Sequence, residues 1–352
     1  MATNNSSVST VCISSHLSSQ LNAIRGFAAI YIVAHHYFKE IFSDVSPYKD
    51  LHIGSLFCLG QEVVIVFIML SGFLTYTLAK EKMSIVHYLR KRWIRIYPLY
   101  AIALMISLLV ACYIESSYTP INWRTIFGNM IFMQDNSMKP GLWFECVGGN
   151  HPLWYLSYQW WDYVIFILFF SMCKNTPQRT ITIFFLCFLA MLTYIAIPNH
   201  LSIVIWYYWI FELGGHLGRV YREHKSVDWR IMAATILMLV VWVAFQGFPS
   251  GVSIGLHPYV EIRHFLVAIG IMIAYVVMRK MNWHSIPFIS VFRFFAGFSF
   301  SIYLLHIPVM HLSSNLFGNA MVAKCLALVI TLIVSYIIEV RLQQIWLRRM
   351  KG

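Results

Sequence analysis

Arg25 and His36 lie eleven residues apart in LNAIRGFAAIYIVAHHYFKE, residues 21–40, an otherwise apolar stretch. At about 100° and 1.5 Å per residue, eleven steps make roughly three helical turns, so the two share one face about 16 Å apart. His35 falls about 100° round the cylinder and cannot share that face. Ionisable groups inside a bilayer are expensive and are kept for a partner or a task. A neutral imidazole can take a proton near physiological pH, which makes His36 a candidate general base. Arg25, permanently charged, is a candidate anion contact or an anchor for the helix.

The segment YLRKRWIRIYPLY, 88–100, brings Arg90, Arg92 and Arg95 together. Such a run is ordinary decoration of a cytoplasmic loop. It also suits a phosphate clamp, because guanidinium groups bind phosphate bidentately and stay charged. Ser71 and Gly72 in FIMLSGFLTY read first as a small-residue helix contact. In NHPLWYLSYQWWDY, 150–163, Trp154 has the type of an interfacial anchor. Gln159 and Asp162, deeper in, point to a cavity rather than to lipid. SFSIYLLHIPV contributes Tyr303 and His306, SYIIEVR contributes Glu339, and WIFELGGHLGR contributes Glu212 and His216. An intramembrane histidine also serves as a hydrogen-bonding link between helices, the plainer reading for His216. Glu339 is placed to partner the arginine loop or Arg25.

The elements that must hold these groups are membrane helices. Mean hydropathy is +0.67, and charged residues make up only 11% of the chain. Span-length apolar runs recur at 22–39, 56–79, 94–114, 154–173, 181–197, 202–219, 230–248, 259–278, 297–314 and 322–344, so an all-α polytopic membrane protein of about ten spans is expected. The net charge of +12 sits in alternate loops, at 80–95, 174–180, 219–230, 279–285 and the C-terminal tail, whereas 249–258 has no Lys or Arg. The positive-inside rule then puts both termini in the cytoplasm and explains the basic pI without nucleic acid. Residues 1–20 read as a polar tail rather than a signal peptide, 21–346 as one membrane domain and 347–352 as a basic tail. The external segment 115–153, rich in aromatic and turn residues, suits an interfacial lid. Seven scattered cysteines give neither a disulfide framework nor metal spacing.

Taken in order, these stretches resemble acyltransferase family 3, the polytopic membrane acyltransferases that modify glycans. LNAIRGFAAIYIVAHHY is similar to the family's first-helix pattern of Arg, ten residues, then His. IVFIMLSGFL resembles its SGF motif and YLRKRWIRIYPLY its Arg-x-Arg loop. LWYLSYQWWDY resembles its WSLS-type motif, SFSIYLLHIPV its S-x-x-Y-L-x-H motif, and SYIIEVR its closing Tyr/Glu motif. The similarity runs from residue 21 to about 343. It departs at Gln159, where many members have an acid, and it suggests the type without a fused SGNH domain.

The resemblance implies transfer of an acyl group, acetyl by default, from cytosolic acyl-CoA to a hydroxyl of a cell-surface glycan such as O-antigen, capsule or exopolysaccharide. It implies a multi-pass protein of the cell membrane that uses no metal. His36 and Arg25 are then the expected catalytic residues, and Arg90, Arg92 and Arg95 the donor-binding set. Ser71, Trp154, Gln159, Tyr303, His306 and Glu339 are expected to support the site or meet the acceptor, with glycan contacts sought in 115–153 and around Trp154. Whether His36 acts as base or as acyl relay stays open at the level of sequence. The competing class is a transporter or channel built on the same intramembrane groups, and another is an acyltransferase for lipid or small-molecule hydroxyls.

Overall fold

The computed structural model describes residues 13–44, 59–80, 82–115, 122–252, 255–281, 287–318 and 321–343. Residues 1–12 and 344–352, most of the two expected tails, lie outside the described residues. Each of the ten expected spans holds a helix. They are α1 (Ser15–Asp44), α2 (Gly60–Thr77), α3 (Ile85–Glu115), α5 (Trp154–Met172), α6 (Thr176–Ala196), α7 (His200–Glu223), α8 (Trp229–Gln246), α9 (Tyr259–Lys280), α10 (Ser299–Phe317) and α11 (Met321–Tyr336). A short helix, α4 (Trp123–Met130), lies between α3 and α5. By length and composition, α2, α3, α6, α8, α9 and α11 with its extension can each cross a membrane among the described residues. A seventh crossing is available if the 3-10 segment before α10 and α10, bent by 77°, count as one broken span. The shortfall from ten arises at α1, α5 and α7, which carry more polar residues than lipid-facing helices tolerate.

That polarity has a structural reason. α7 is buried around most of its circumference, so its polar groups face protein. It meets α2 through glycines: a Cβ at Gly72 would fall on the Phe211 carbonyl, and one at Gly214 on the Met69 carbonyl. Small residues let the two backbones approach closely, as membrane helices without a hydrophobic driving force require. Around this contact, Glu212 is held by Arg219 at 2.8 Å and by the Tyr76 hydroxyl at 2.5 Å. His216 Nε2 accepts the Asp228 backbone N–H at 3.1 Å, a structural link. Lipid-facing α6 and α8, by contrast, leave Phe185, Leu189, Val240 and Phe245 exposed.

Residues 122–153 fold as a cap. Asn122 accepts the Thr125 N–H at 3.2 Å to start α4, and β1 (Gln134–Asp135) pairs in parallel with β2 (Phe144–Glu145). Asn129 Nδ2 donates to the Glu145 carbonyl at 2.7 Å, and Asn150 Nδ2 to Ser107 Oγ at 3.0 Å and the Leu304 carbonyl at 2.9 Å. These bonds fasten the cap to α3 and α10. At Gly148, in the left-handed region at φ 61°, a side chain would meet the Ser107 carbonyl.

Candidate active site

A cavity of about 1150 Å³ opens among α1, α2, α3, α5, α10, the 3-10 segment Pro287–Gly297 and the π-helical turn Ile337–Gln343 that extends α11. That volume lies just above the range of about 300–1,000 Å³ usual for small-molecule sites. Its lining includes Arg25, Arg90, Lys91, Arg92, Arg95 and Arg293, with Glu339 the one carboxylate among the described residues. Ser71, Tyr155, Gln159 and Tyr303 also line it. Eight of the eleven residues singled out from sequence therefore converge on one space, contributed by six separate elements. Arg25 lines the same space as the arginine loop, beside which the alternation of basic loops placed it.

The arginines are held differently. Arg92 lies with its guanidinium carbon 4.4 Å from the Tyr163 ring centroid and 5.1 Å from that of Tyr88, and reaches Thr75 Oγ1 at 3.4 Å. Arg90 and Arg95 are exposed. The Arg95 carbonyl accepts from Gln343 Nε2 at 2.9 Å, tying α3 to the π turn. In that turn Glu339 accepts the Ser301 N–H at 2.7 Å, one of the unpaired donors at a helix start. The π turn explains why a carboxylate at the end of α11 reaches the first turn of α10, since such bulges re-aim side chains at functional sites.

At the other wall, the Gln159 carbonyl accepts from Ser71 Oγ at 2.7 Å and from the Tyr155 hydroxyl. Tyr303 donates to the Pro152 carbonyl. Ser71 and Gly72 thus divide the work of their motif: the glycine makes the α7 contact, and the serine faces the cavity.

His36 and His306 do not line this space. They sit behind its wall: Tyr303 faces the cavity and also lies 6.1 Å from His306, ring centroid to centroid, and His306 lies 5.1 Å from His36. Phe67 and Tyr155, both at the cavity surface, pack on Tyr303 at 6.4 and 5.5 Å. His306 Nδ1 lies 3.2 Å from the Ile302 carbonyl. A carbonyl only accepts, so Nδ1 carries the proton and Nε2 of the neutral ring is the basic atom. His35 is buried against Gly60, where a Cβ would strike its ring.

Trp154 departs from the expected glycan-facing role. It is buried, with the Lys139 ammonium 4.3 Å over its ring and the His264 ring stacked at 6.3 Å. It belongs to a cluster under the cap in which Asp135 meets Lys139 at 3.5 Å, His200 at 3.2 Å and the Tyr158 hydroxyl at 2.7 Å. Burial opposes ionisation of Asp135, but the Lys139 ammonium and the hydrogen bonds with His200 and Tyr158 outweigh it and hold the carboxyl below its ordinary value. Asp162, expected at a cavity, is 1% exposed, lines none of the main cavity, and has no hydrogen-bond partner for either oxygen among the described residues. Sequence reading missed Arg293 and Tyr155. Positive-inside counting could have grouped Arg293 with the other basic residues, but not turned it inward.

Comparison with known proteins decides the class of this architecture. A family model described as an acyltransferase domain, acyltransferase 3, matches residues 18–340. The chain belongs to this membrane acyltransferase family. The acyltransferase MdmB of Streptomyces mycarofaciens is 27% identical to it over 165 residues, covering 45% of this chain and 41% of the relative. The match therefore spans about two-fifths of that relative's length. No solved structure matches the chain. Within the family match fall the cationic cavity, the Tyr303 wall and the paired histidines.

Proposed function

We propose that this membrane acyltransferase moves an acyl group, acetyl by the family default, from acyl-CoA to a hydroxyl of a cell-surface glycan. The observation that carries the reading is the cavity itself. Six cations from three elements face a space large enough for a phosphate-bearing donor, and its far wall adjoins two histidines. Clustered guanidinium groups select phosphates, and one carboxylate among them leaves the wall strongly cationic. A transporter needs no such asymmetry between a charged mouth and an aromatic wall.

The chemistry asked of the protein is modest, because a thioester is already activated. It must position donor and acceptor, accept a proton and stabilise the tetrahedral oxyanion. The acceptor hydroxyl gives its proton to His36 as its oxygen attacks the thioester carbonyl. Collapse breaks the C–S bond, and the departing thiolate takes the proton back from the imidazolium. His306, its Nδ1 proton directed to the Ile302 carbonyl, packs its ring against that of His36. Because Tyr303 separates the histidines from the cavity, the acyl group must pass that side chain, so Tyr303 controls entry.

The test is direct. Purified protein in nanodiscs is given radiolabelled acetyl-CoA with and without polysaccharide acceptor, and both free thiol and labelled glycan are measured. Acceptor-dependent thiol release, abolished in His36→Ala, is expected. Failure to bind acyl-CoA, or equal activity of wild type and His36→Ala, would overturn the reading. Label on His36 in donor-only samples would assign an acyl relay.

A further inference from the structure

Three aromatic rings close the end of the cavity that adjoins the histidines. The ring centroids of Phe67 on α2, Tyr155 on α5 and Tyr303 on α10 form a triangle: Phe67 to Tyr155 is 6.1 Å, Tyr155 to Tyr303 5.5 Å, and Phe67 to Tyr303 6.4 Å. All three rings line the cavity, and Tyr303 also packs on His306. Their polar tethers differ. Phe67 has none to offer, and the Tyr155 hydroxyl donates to Gln159 on its own helix. The Tyr303 hydroxyl donates instead to the Pro152 carbonyl, in the last turn of the cap. That carbonyl also receives the Trp154 backbone N–H, so losing the tyrosine hydroxyl does not orphan it.

The same stretch of cap holds the backbone beside Tyr303. Proline carries no N–H, so Pro308 inside α10 leaves the Leu304 carbonyl without its helical donor. Asn150 Nδ2 supplies the missing bond at 2.9 Å and also reaches Ser107 Oγ on α3 at 3.0 Å. Residues 150–152 therefore grip Tyr303 at its hydroxyl and at the carbonyl of the next residue. Asn150 and Pro152 are buried, while His151 between them is exposed. A donor that fills the cavity meets the aromatic faces and leaves both bonds standing.

We propose that residues 150–152 of the cap latch Tyr303 over the histidines, so that the cap, and not the donor, sets when the acyl group reaches His36. This rests on the acyl-transfer reading above and adds a control to it. With Tyr303 open and no acceptor in place, His36 takes its proton from water. The water oxygen bonds to the acyl carbon, the C–S bond breaks, and the departing thiolate takes the proton from the imidazolium. The products are the free acid and the thiol, with nothing transferred. Keeping water and the thioester apart until the site is complete prevents this loss.

Donor-only hydrolysis tests the latch, because it needs no acceptor. Wild type, Tyr303→Phe, Asn150→Ala and Tyr303→Phe/His36→Ala are placed in nanodiscs with saturating acetyl-CoA. Thiol release is measured per mole of bound donor, together with the melting temperature. Tyr303→Phe keeps the ring and removes the tether. Asn150 does not line the cavity, so Asn150→Ala loosens the cap without altering the donor's surroundings. Each single variant is expected to raise release per bound donor about two- to tenfold, the population change that loss of one hydrogen bond produces. The rise should vanish in the double variant. Release in Tyr303→Phe that is unchanged, or that falls along with the melting temperature, would show a structural role and overturn the latch while leaving acyl transfer standing. A rise in Tyr303→Phe without one in Asn150→Ala would overturn the part given to the cap, and a rise that survives His36→Ala would place the hydrolysis elsewhere and overturn the proposal. Failure of wild type to bind acetyl-CoA would overturn the acyl-transfer reading itself.

Discussion

The ring centroids of His36 and His306 lie 5.1 Å apart, although the residues come from α1 and α10 at opposite ends of the chain. The Tyr37 hydroxyl, next to His36 in sequence, binds the His306 carbonyl at 2.8 Å and Thr331 Oγ1 at 2.9 Å. Neighbouring residues of α1 thus fix both the ring and the backbone of the partner histidine. The two imidazoles are one unit built by three helices.

A unit of this kind should respond to mutation as a unit. General-base catalysis is worth about 10²–10⁴-fold, so His36→Ala is expected to lower kcat by that amount. His306→Ala should produce a loss of the same order, and the double variant should be little worse than either single one, because residues acting together are not additive. Turnover of acetyl-CoA by the three variants measures this. Multiplicative losses in the double variant would show that the histidines act independently.

The arginines should divide into two classes. Arg90 and Arg95 are exposed at the cavity mouth, so Arg90→Ala and Arg95→Ala should raise the donor KM several-fold and leave thermal stability unchanged. Arg92 is clamped between Tyr88 and Tyr163. Its loss should raise KM and also destabilise by about 1–2 kcal/mol, the worth of a partly desolvated cation–π contact. Arg92→Lys should not restore either property, because an ammonium group lacks the planar fork. Donor titrations and melting curves in detergent separate the classes.

Gly72→Ala should be disproportionately harmful for so small a change. The added methyl would fall on the Phe211 carbonyl, and backbone of α7 cannot step aside as a flexible side chain would. Overpacking of this kind costs about 1–3 kcal/mol. The variant should show a lowered melting temperature and a lower yield of monodisperse protein. Ser71→Ala, one residue earlier, should melt near wild type and lose turnover instead.

These residues also show what could be read in advance. The ten helices were legible because apolar runs of span length are a direct consequence of the bilayer. The Arg25–His36 relation followed from helix geometry alone, and Arg25 does meet the arginine loop at the cavity. What could not be read depended on partners distant in sequence. No local pattern announces that His306 packs on His36, or that the Gln159 carbonyl is taken by Ser71 and its nitrogen left over among the described residues. Trp154 misled for the same reason: its type suits an interface, but Lys139 from the cap lies over its ring. Asp162 misled more simply, since burial without a partner is rare enough that a cavity was the natural expectation.

The cap makes the last prediction. Asp135 sits between Lys139 and His200, and removing one member of a buried charged set leaves the others uncompensated, at a cost of about 3–5 kcal/mol. Asp135→Asn should therefore lower the melting temperature strongly while the cavity arginines keep their donor affinity. The pH dependence has a definite sign. The Asp135 carboxyl is held below its ordinary value in the folded protein, so its contribution is fully present above the unfolded value of about 4. It is lost only as pH falls through the lower, folded value. The melting-temperature gap between wild type and Asp135→Asn should accordingly close in acid below about pH 4. A gap that already narrows between pH 8 and 6 would place the stabilisation on a different titrating group of the cap.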